Sequence, residues 1–306
     1  MKLKNSLGSL ALLLAAVIWG FAFVAQSSGA EKLPAFTINT LRSFVAFAFL
    51  SLVIGIISIK NKAILPKDPA SFKELIIGGL SCGLALFVAT GFQQYGIGLY
   101  PPDAASSGRS GFITALYVVL VPLVGAFFLK KRVPFAVWTG VILSISGLYF
   151  LCFGNGIEGV YLGDLIIFFC ALSFCGHILV VDHFVAKSNG ILLSAIQFFT
   201  VGVLSLITSL IFESVSIAEI IDAILPILYL GIMSSGIAYT LQIVGQKHTD
   251  PTVATILMSL ESVFAVLGGW LIRNEKLSAL QLIGCALVFA AILLSQIPEF
   301  KKNKEK

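Results

Sequence analysis

Charged side chains are scarce in this sequence: they make up 11% of its 306 residues, against roughly a quarter in a soluble domain. Scarcity of that order excludes a free-standing soluble fold. The three histidines, His177, His183 and His248, are scattered, and the five cysteines fall inside apolar stretches without CxxC or Cys/His spacing. Metal centres and disulfide frameworks therefore have no sequence support. Cys82, Cys152, Cys170, Cys175 and Cys285 read as small packing residues. No glycine-rich phosphate loop ending in Gly-Lys occurs, which excludes an ATP-driven pump within this chain. The net charge of +5 carries no nucleic-acid signal, because the basic residues lie mainly in short loops and tails.

What fills the chain instead is hydrocarbon: 58% of the residues are hydrophobic and the mean hydropathy is +1.00. A bilayer core of about 30 Å calls for roughly 20 apolar residues per helix. That ruler gives ten stretches, near 7–25, 36–59, 75–97, 109–129, 135–153, 162–181, 192–212, 225–244, 252–272 and 279–297. The first resembles a secretory signal, since Lys2 and Lys4 precede an apolar run. Trp19-Gly20 stands where a cleavage region would begin, and further spans follow, so it reads as a retained helix. The longest connections, 60–74 and 213–224, leave no room for a soluble domain. The expected fold is all-α and integral to the membrane.

An even number of spans returns both termini to one side, and basic residues choose the side. With the termini in the cytoplasm, fifteen Lys and Arg residues face inward and only Lys32, Arg273 and Lys276 face outward. The segment 213–222 holds three acids and no base and is expected outside.

The chain also resembles itself. Residues 111–151 lie on 255–295 at an offset of 144, which sets Gly140 over Gly284 and Tyr117 over Glu261. The first two spans match the sixth and seventh at 155, with Gly8 over Gly163, Ala16 over Ala171 and Arg42 over Gln197. Gln94 meets Gln242 at 148. Two five-helix halves follow, 1–156 and 157–306. Because five is odd, the second half enters the membrane inverted. Inverted repeats are a recurring construction of secondary transporters, with the substrate near midplane where the halves meet.

Four segments carry a family likeness: AAVIWGFAFV in helix 1, LRSFVAF in helix 2, GRSGFITALYVVLVPL in helix 4 and MSLESVFAVLGGWLIRNEKLSALQLIGCALV across helices 9 and 10. Together they resemble the drug/metabolite transporter superfamily, EamA type, over the whole chain. The resemblance implies a ten-helix permease of the prokaryotic inner membrane, often an exporter of amino acids or related metabolites, with no cofactor. Two departures stand out. The proline usual after the helix-9 glutamate is Ser262 here, which removes the expected kink, and the loop before helix 4 carries Pro101-Pro102.

Polar residues inside lipid are costly and mark function by default. Glu261 is the deepest acid, about 14 Å into helix 9 at 1.5 Å per residue. Trp19, Arg42, Gln94, Arg109, Tyr117, His177 and Tyr239 complete the candidate substrate site, drawn from both halves. Arg42 and Arg109 are expected to bind a substrate carboxylate or pair with Glu261, and Glu261 to exchange a proton or hold an amine. Pro122 removes a backbone hydrogen bond, so a kink is expected there. The spacing of Gly79 and Gly83 predicts close helix packing. The expected partners are a small-molecule substrate, the lipid bilayer and protons as the coupling ion, with a monomer or weak dimer as the assembly. The competing reading is a membrane-embedded enzyme or scaffold acting on a lipid or metabolite. Against an enzyme stands the absence of a second carboxylate near Glu261 in its helix.

Overall fold

The computed structural model describes residues 2–60, 64–66, 68–101, 106–127, 130, 133–153, 161–273, 279–280, 282–284, 286–287, 289–291 and 294. Among the basic residues counted above, Lys62, Lys67, Lys131, Arg132, Lys276 and the lysines at 301, 302, 304 and 306 lie outside them. Among the described residues there is helix and no strand.

The first three spans are single helices, α1 (Lys2–Ala30), α2 (Ala35–Lys60) and α3 (Pro69–Gly98). The fourth is divided into α4 (Ser106–Thr114) and α5 (Tyr117–Phe127), and α6 (Phe135–Phe153) follows. The second half opens with α7 (Leu162–Val185) and α8 (Gly190–Phe212), then a short α9 (Ile217–Asp222). Its third span changes character along its length, from α10 (Ile224–Leu228) through a π-helix (Tyr229–Ala238) to α11 (Tyr239–Gln246). The next is again divided, into α12 (Pro251–Met258) and α13 (Glu261–Arg273). Eight of these spans are long and apolar enough to cross a membrane, and two shorter apolar helices, Trp138–Gly147 and Leu282–Ala291, fall where the fifth and tenth are expected. The chain is an all-α, ten-helix membrane protein.

Helix starts follow from local chemistry. Asp68 accepts the Ser71 amide at 2.8 Å ahead of Pro69, and these contacts hold its carboxyl below the usual carboxylate range. Asn189 accepts the Ile191 and Leu192 amides to start α8, and Asp250 accepts Thr252 to start α12. Each side chain satisfies an amide that the first turn leaves without a partner.

Spans of the first part of the chain pack on spans of the second. α3 lies along α7 as the third span of the second half lies along α1, and α2 packs on α8. At the close crossings backbone meets backbone. A Cβ on Gly245 would stand 2.9 Å from the Gly8 carbonyl, and one on Gly163 would stand 2.7 Å from the Gly96 carbonyl. Gly79 and Gly83 face Ile196 and Thr200 of α8 without room for a Cβ, as their spacing predicts.

The tightest approach is between α1 and α13, where a Cβ on Gly20 would overlap Phe264 at both side chain and backbone. Gly20→Ala is therefore expected to lower the melting temperature of the detergent-purified protein. Overpacking of this kind costs about 1–3 kcal/mol. Gly55→Ala is the control, because nothing lies within 4 Å of its Cβ position. Equal melting curves for the two variants would refute this account of the crossing.

The helix breaks are not at Pro122. α5 continues as α-helix through that residue. The interruptions fall at Ala115-Leu116 and at Ser259-Leu260, positions that the 144-residue offset superposes. Helix 9 thus breaks without the proline that Ser262 replaces.

Candidate functional site

Directly after each break stands a polar residue: Tyr117 opens α5 and Glu261 opens α13. Both are buried, and the Tyr117 hydroxyl donates to Glu261 Oε1 at 2.8 Å. Residues matched by the internal repeat thus touch one another. The carboxylate occupies the first turn of α13, where the positive end of the helix dipole favours negative charge.

A cavity adjoins this pair. Arg42 of α2 lines it, only 2% exposed. Its Nε has no hydrogen-bond partner among the described residues, and the ion pairs there are Arg109–Asp164 and Lys187–Glu74, not Arg42 with Glu261. Trp19 and Tyr239 form an aromatic corner, edge to face with ring centroids 4.7 Å apart, and the Trp19 Nε1 is also without a partner. The cavity therefore offers a guanidinium, a carboxyl group and unfilled hydrogen-bond donors inside an apolar bundle. An isolated charge in that setting is expensive, and a ligand carrying the opposite charges removes the expense.

Of the eight residues expected at a site, Trp19, Arg42, Tyr117, Tyr239 and Glu261 line this cavity. The other three stand outside its wall. Gln94 turns toward α1 and donates to the Gln26 carbonyl at 3.2 Å, while its neighbour Gln93 faces the cavity. His177 lies behind Phe174 and Tyr239, edge-on to both rings, with Nε2 3.2 Å from Gln197 Oε1. Arg109 corrects the expected pairing with Glu261. Its Nε and Nη2 donate to the two oxygens of Asp164 at 2.7 and 2.8 Å, and its guanidinium lies over Tyr161.

That ion pair belongs to the end of the bundle holding Lys32. The Tyr100 hydroxyl also donates to Asp164, and burial together with that bond raises the Tyr100 hydroxyl above its ordinary value. Nearby, Ser106 and Ser107 hydrogen-bond the Ser27 hydroxyl and tie α4 to α1.

The remaining wall was not assigned to the site from sequence. Gln26, Gln93, Thr114, Ser234 and Gln242 are polar, and Phe23, Phe174, Ile178 and Met258 apolar. Gln93 and Thr114 are joined, the amide donating to the hydroxyl at 3.3 Å. The repeat signal available for Gln242 was its match to Gln94. The four apolar residues carry no signal in a sequence where apolar residues are the rule.

Comparison with known proteins bears on what such a cavity does. Residues 6–153 and 161–296 match the model of the EamA-like transporter family. An uncharacterized transporter of Archaeoglobus fulgidus is 30% identical over 292 residues, covering 95% of this chain and 86% of its own. The uncharacterized inner membrane transporter YedA of Escherichia coli is 23% identical, covering 93% and 89%. The threonine/homoserine exporter RhtA of Escherichia coli is 27% identical over 197 residues, 60% of this chain and 62% of that one. A crystal structure with 20% identity superposes with a TM-score of 0.75 over 95% of this chain and 96% of its own, which establishes likeness of fold.

Proposed function

Since the chain belongs to the EamA-like transporter family, we propose that it carries a small polar metabolite, in the first instance an amino acid, across the cytoplasmic membrane by alternating access. The observation that carries the proposal is Arg42, buried in the cavity with no hydrogen-bond partner for its Nε among the described residues, while Glu261 lies buried in the same wall. A zwitterion supplies both missing charges. The name of RhtA, a threonine/homoserine exporter, supports the substrate class and the outward direction. The names of the relatives also favour transport over chemistry on a lipid.

Alternating access needs two related conformations, and an inverted repeat offers them. The two matched segments, 6–153 and 161–296, support halves at 1–156 and 157–306. The paired glycine crossings and the coincident helix breaks support their inversion. We further propose cytoplasmic termini, protons as the coupling ion and an inner-membrane location, the last supported by the name of YedA. The orientation makes a direct prediction. A cysteine introduced at position 217 reacts with an impermeant maleimide added to intact cells, and one at position 67 does not. The reverse pattern refutes it.

The functional test is counterflow in proteoliposomes. Vesicles loaded with one unlabelled standard amino acid at a time should accumulate the labelled form of at least one of them. Failure with every amino acid, or chemical alteration of the solute, overturns the reading.

A further inference from the structure

Two glycine crossings fix how the third span of the second half corresponds to α3. A Cβ on Gly83 of α3 would meet Thr200 and stand 2.9 Å from the Gln197 carbonyl. One on Gly231 would meet Val45 and stand 3.1 Å from the Arg42 carbonyl. Val45 and Arg42 match Thr200 and Gln197 at the offset of 155, so Gly83 corresponds to Gly231, 148 residues on. Further along, Gly96 packs on Ile167 and the Gly163 carbonyl, and Gly245 packs on Leu12 and the Gly8 carbonyl. These neighbours again match at 155, but Gly96 and Gly245 are 149 apart. The second half thus carries one extra residue between its two crossings. The π-helix (Tyr229–Ala238) lies between them and takes it up, since its hydrogen bonds span five residues. Its last step runs from the Tyr239 amide to the Ser234 carbonyl, whereas α3 is α-helical throughout.

Past that segment the structural counterpart of Gln242 is Gln93, not Gln94. Both Gln93 and Gln242 line the cavity, as this correspondence requires. Their surroundings differ at one position. Gln93 donates to the Thr114 hydroxyl at 3.3 Å. The residue matched to Thr114 at 144 is Met258, which also lines the cavity. Methionine has no hydrogen-bond donor and only a weak acceptor. Gln242 is 2% exposed, and its Oε1 has no hydrogen-bond partner among the described residues. A buried amide oxygen in that condition is costly until something donates to it.

We infer that Gln242 receives the side chain of the substrate, and that the substrate is an amino acid whose side chain donates a hydrogen bond through a hydroxyl or a carboxamide. The inference rests on the transport reading above and specifies the part of the substrate that reading leaves open. Arg42 lies near the start of α2, which begins close to Lys32. Gln242 lies near the far end of a span that also begins there, where Lys32 bonds the Asp222 carbonyl. A zwitterion held by Arg42 and Glu261 therefore directs its side chain toward the end of the cavity where Gln242 stands.

The test compares side chains of equal shape. Full-length protein in nanodiscs is titrated calorimetrically with each standard L-amino acid, and with homoserine, norvaline and 2-aminobutyrate. The pairs that matter are threonine and valine, serine and 2-aminobutyrate, homoserine and norvaline, and asparagine and leucine. In at least one pair the polar member is expected to bind about tenfold more tightly. A ratio below about fivefold in every pair overturns the inference and leaves amino-acid transport standing. Binding by no amino acid overturns the transport reading and the inference with it. In Gln242→Leu and Gln242→Met the preference should collapse, and a ratio still above about fivefold assigns the side chain to another residue. Neither replacement strands a partner, so the ligand-free variants should melt no lower than the parent. A lower melting temperature in both shows the amide bonded within the protein and overturns the inference.

Discussion

Glu261→Gln is expected to weaken substrate binding by about a hundredfold while leaving the fold intact. The glutamine matches the shape of the glutamate and keeps an oxygen for the Tyr117 hydroxyl, now 2.8 Å from the carboxylate. Only the negative charge and its titration are lost. Hydrogen bonds to charged groups contribute about 1.5–3 kcal/mol each, and the charge lies at mid-depth where water does not screen it. The measurement is transport and binding across a pH range, with a thermal melt to confirm folding. Loss of binding at every pH assigns Glu261 to the substrate amine. Retained transport with its pH dependence abolished assigns it to the proton instead. Transport at the parental rate at every pH makes Glu261 a structural residue and ends the proposal.

Arg42→Met should show two effects of opposite sign. Arg42 is 2% exposed and its Nε has no hydrogen-bond partner among the described residues. A buried charge lacking a partner destabilises by several kcal/mol, and exchanging it for a well-packed apolar side chain commonly raises stability. The melting temperature of the substrate-free variant is therefore expected to rise, while stabilisation by amino acids disappears. Methionine fills similar space flexibly, so the gain does not depend on exact packing. A residue that merely braced α2 would give the contrary result, a lower melting temperature with substrate binding retained. A falling melting temperature would sink the reading of Arg42 as a charge waiting for its counter-ion.

The spans were legible because a bilayer sets their length, and among the described residues the long apolar runs are helical. The site was legible only where chemistry is rare in this composition. A lone deep acid and a lone deep arginine draw attention to Glu261 and Arg42, and the repeat led from Glu261 to Tyr117, with which it shares a hydrogen bond. Rarity alone did not distinguish Arg42 from Arg109, because Asp164 is 55 residues away in sequence and only the folded chain joins them. Gln93 and Gln94 show the second limit. Adjacent residues on a helix point about 100° apart, and here both lipid and bundle interior are apolar, so hydrophobic periodicity does not tell inside from outside. The breaks were invisible for a third reason. Ala115-Leu116 and Ser259-Leu260 contain neither proline nor glycine, so neither break carries the usual mark in the sequence.

The Arg109–Asp164 bridge has no twin. The offsets that superpose the halves put Val253 opposite Arg109 and Ser9 opposite Asp164, so no such bridge forms at the other mouth. In the alternating mechanism proposed here, the two access states are then unequal in energy although their backbones are related. A bidentate, partly buried pair of this kind, with side chains 14% and 12% exposed, outweighs a surface pair worth 1 kcal/mol or less. A bias of about 1–2 kcal/mol leaves the empty carrier waiting in one state for roughly 85–97% of the time. Asp164→Asn should level that distribution, seen as faster maleimide modification of a cavity cysteine from the Lys32 side, and an unchanged rate would refute it. In that proposed mechanism the repeat provides a pair of states, and the unduplicated ion pair decides at which mouth the carrier stands closed.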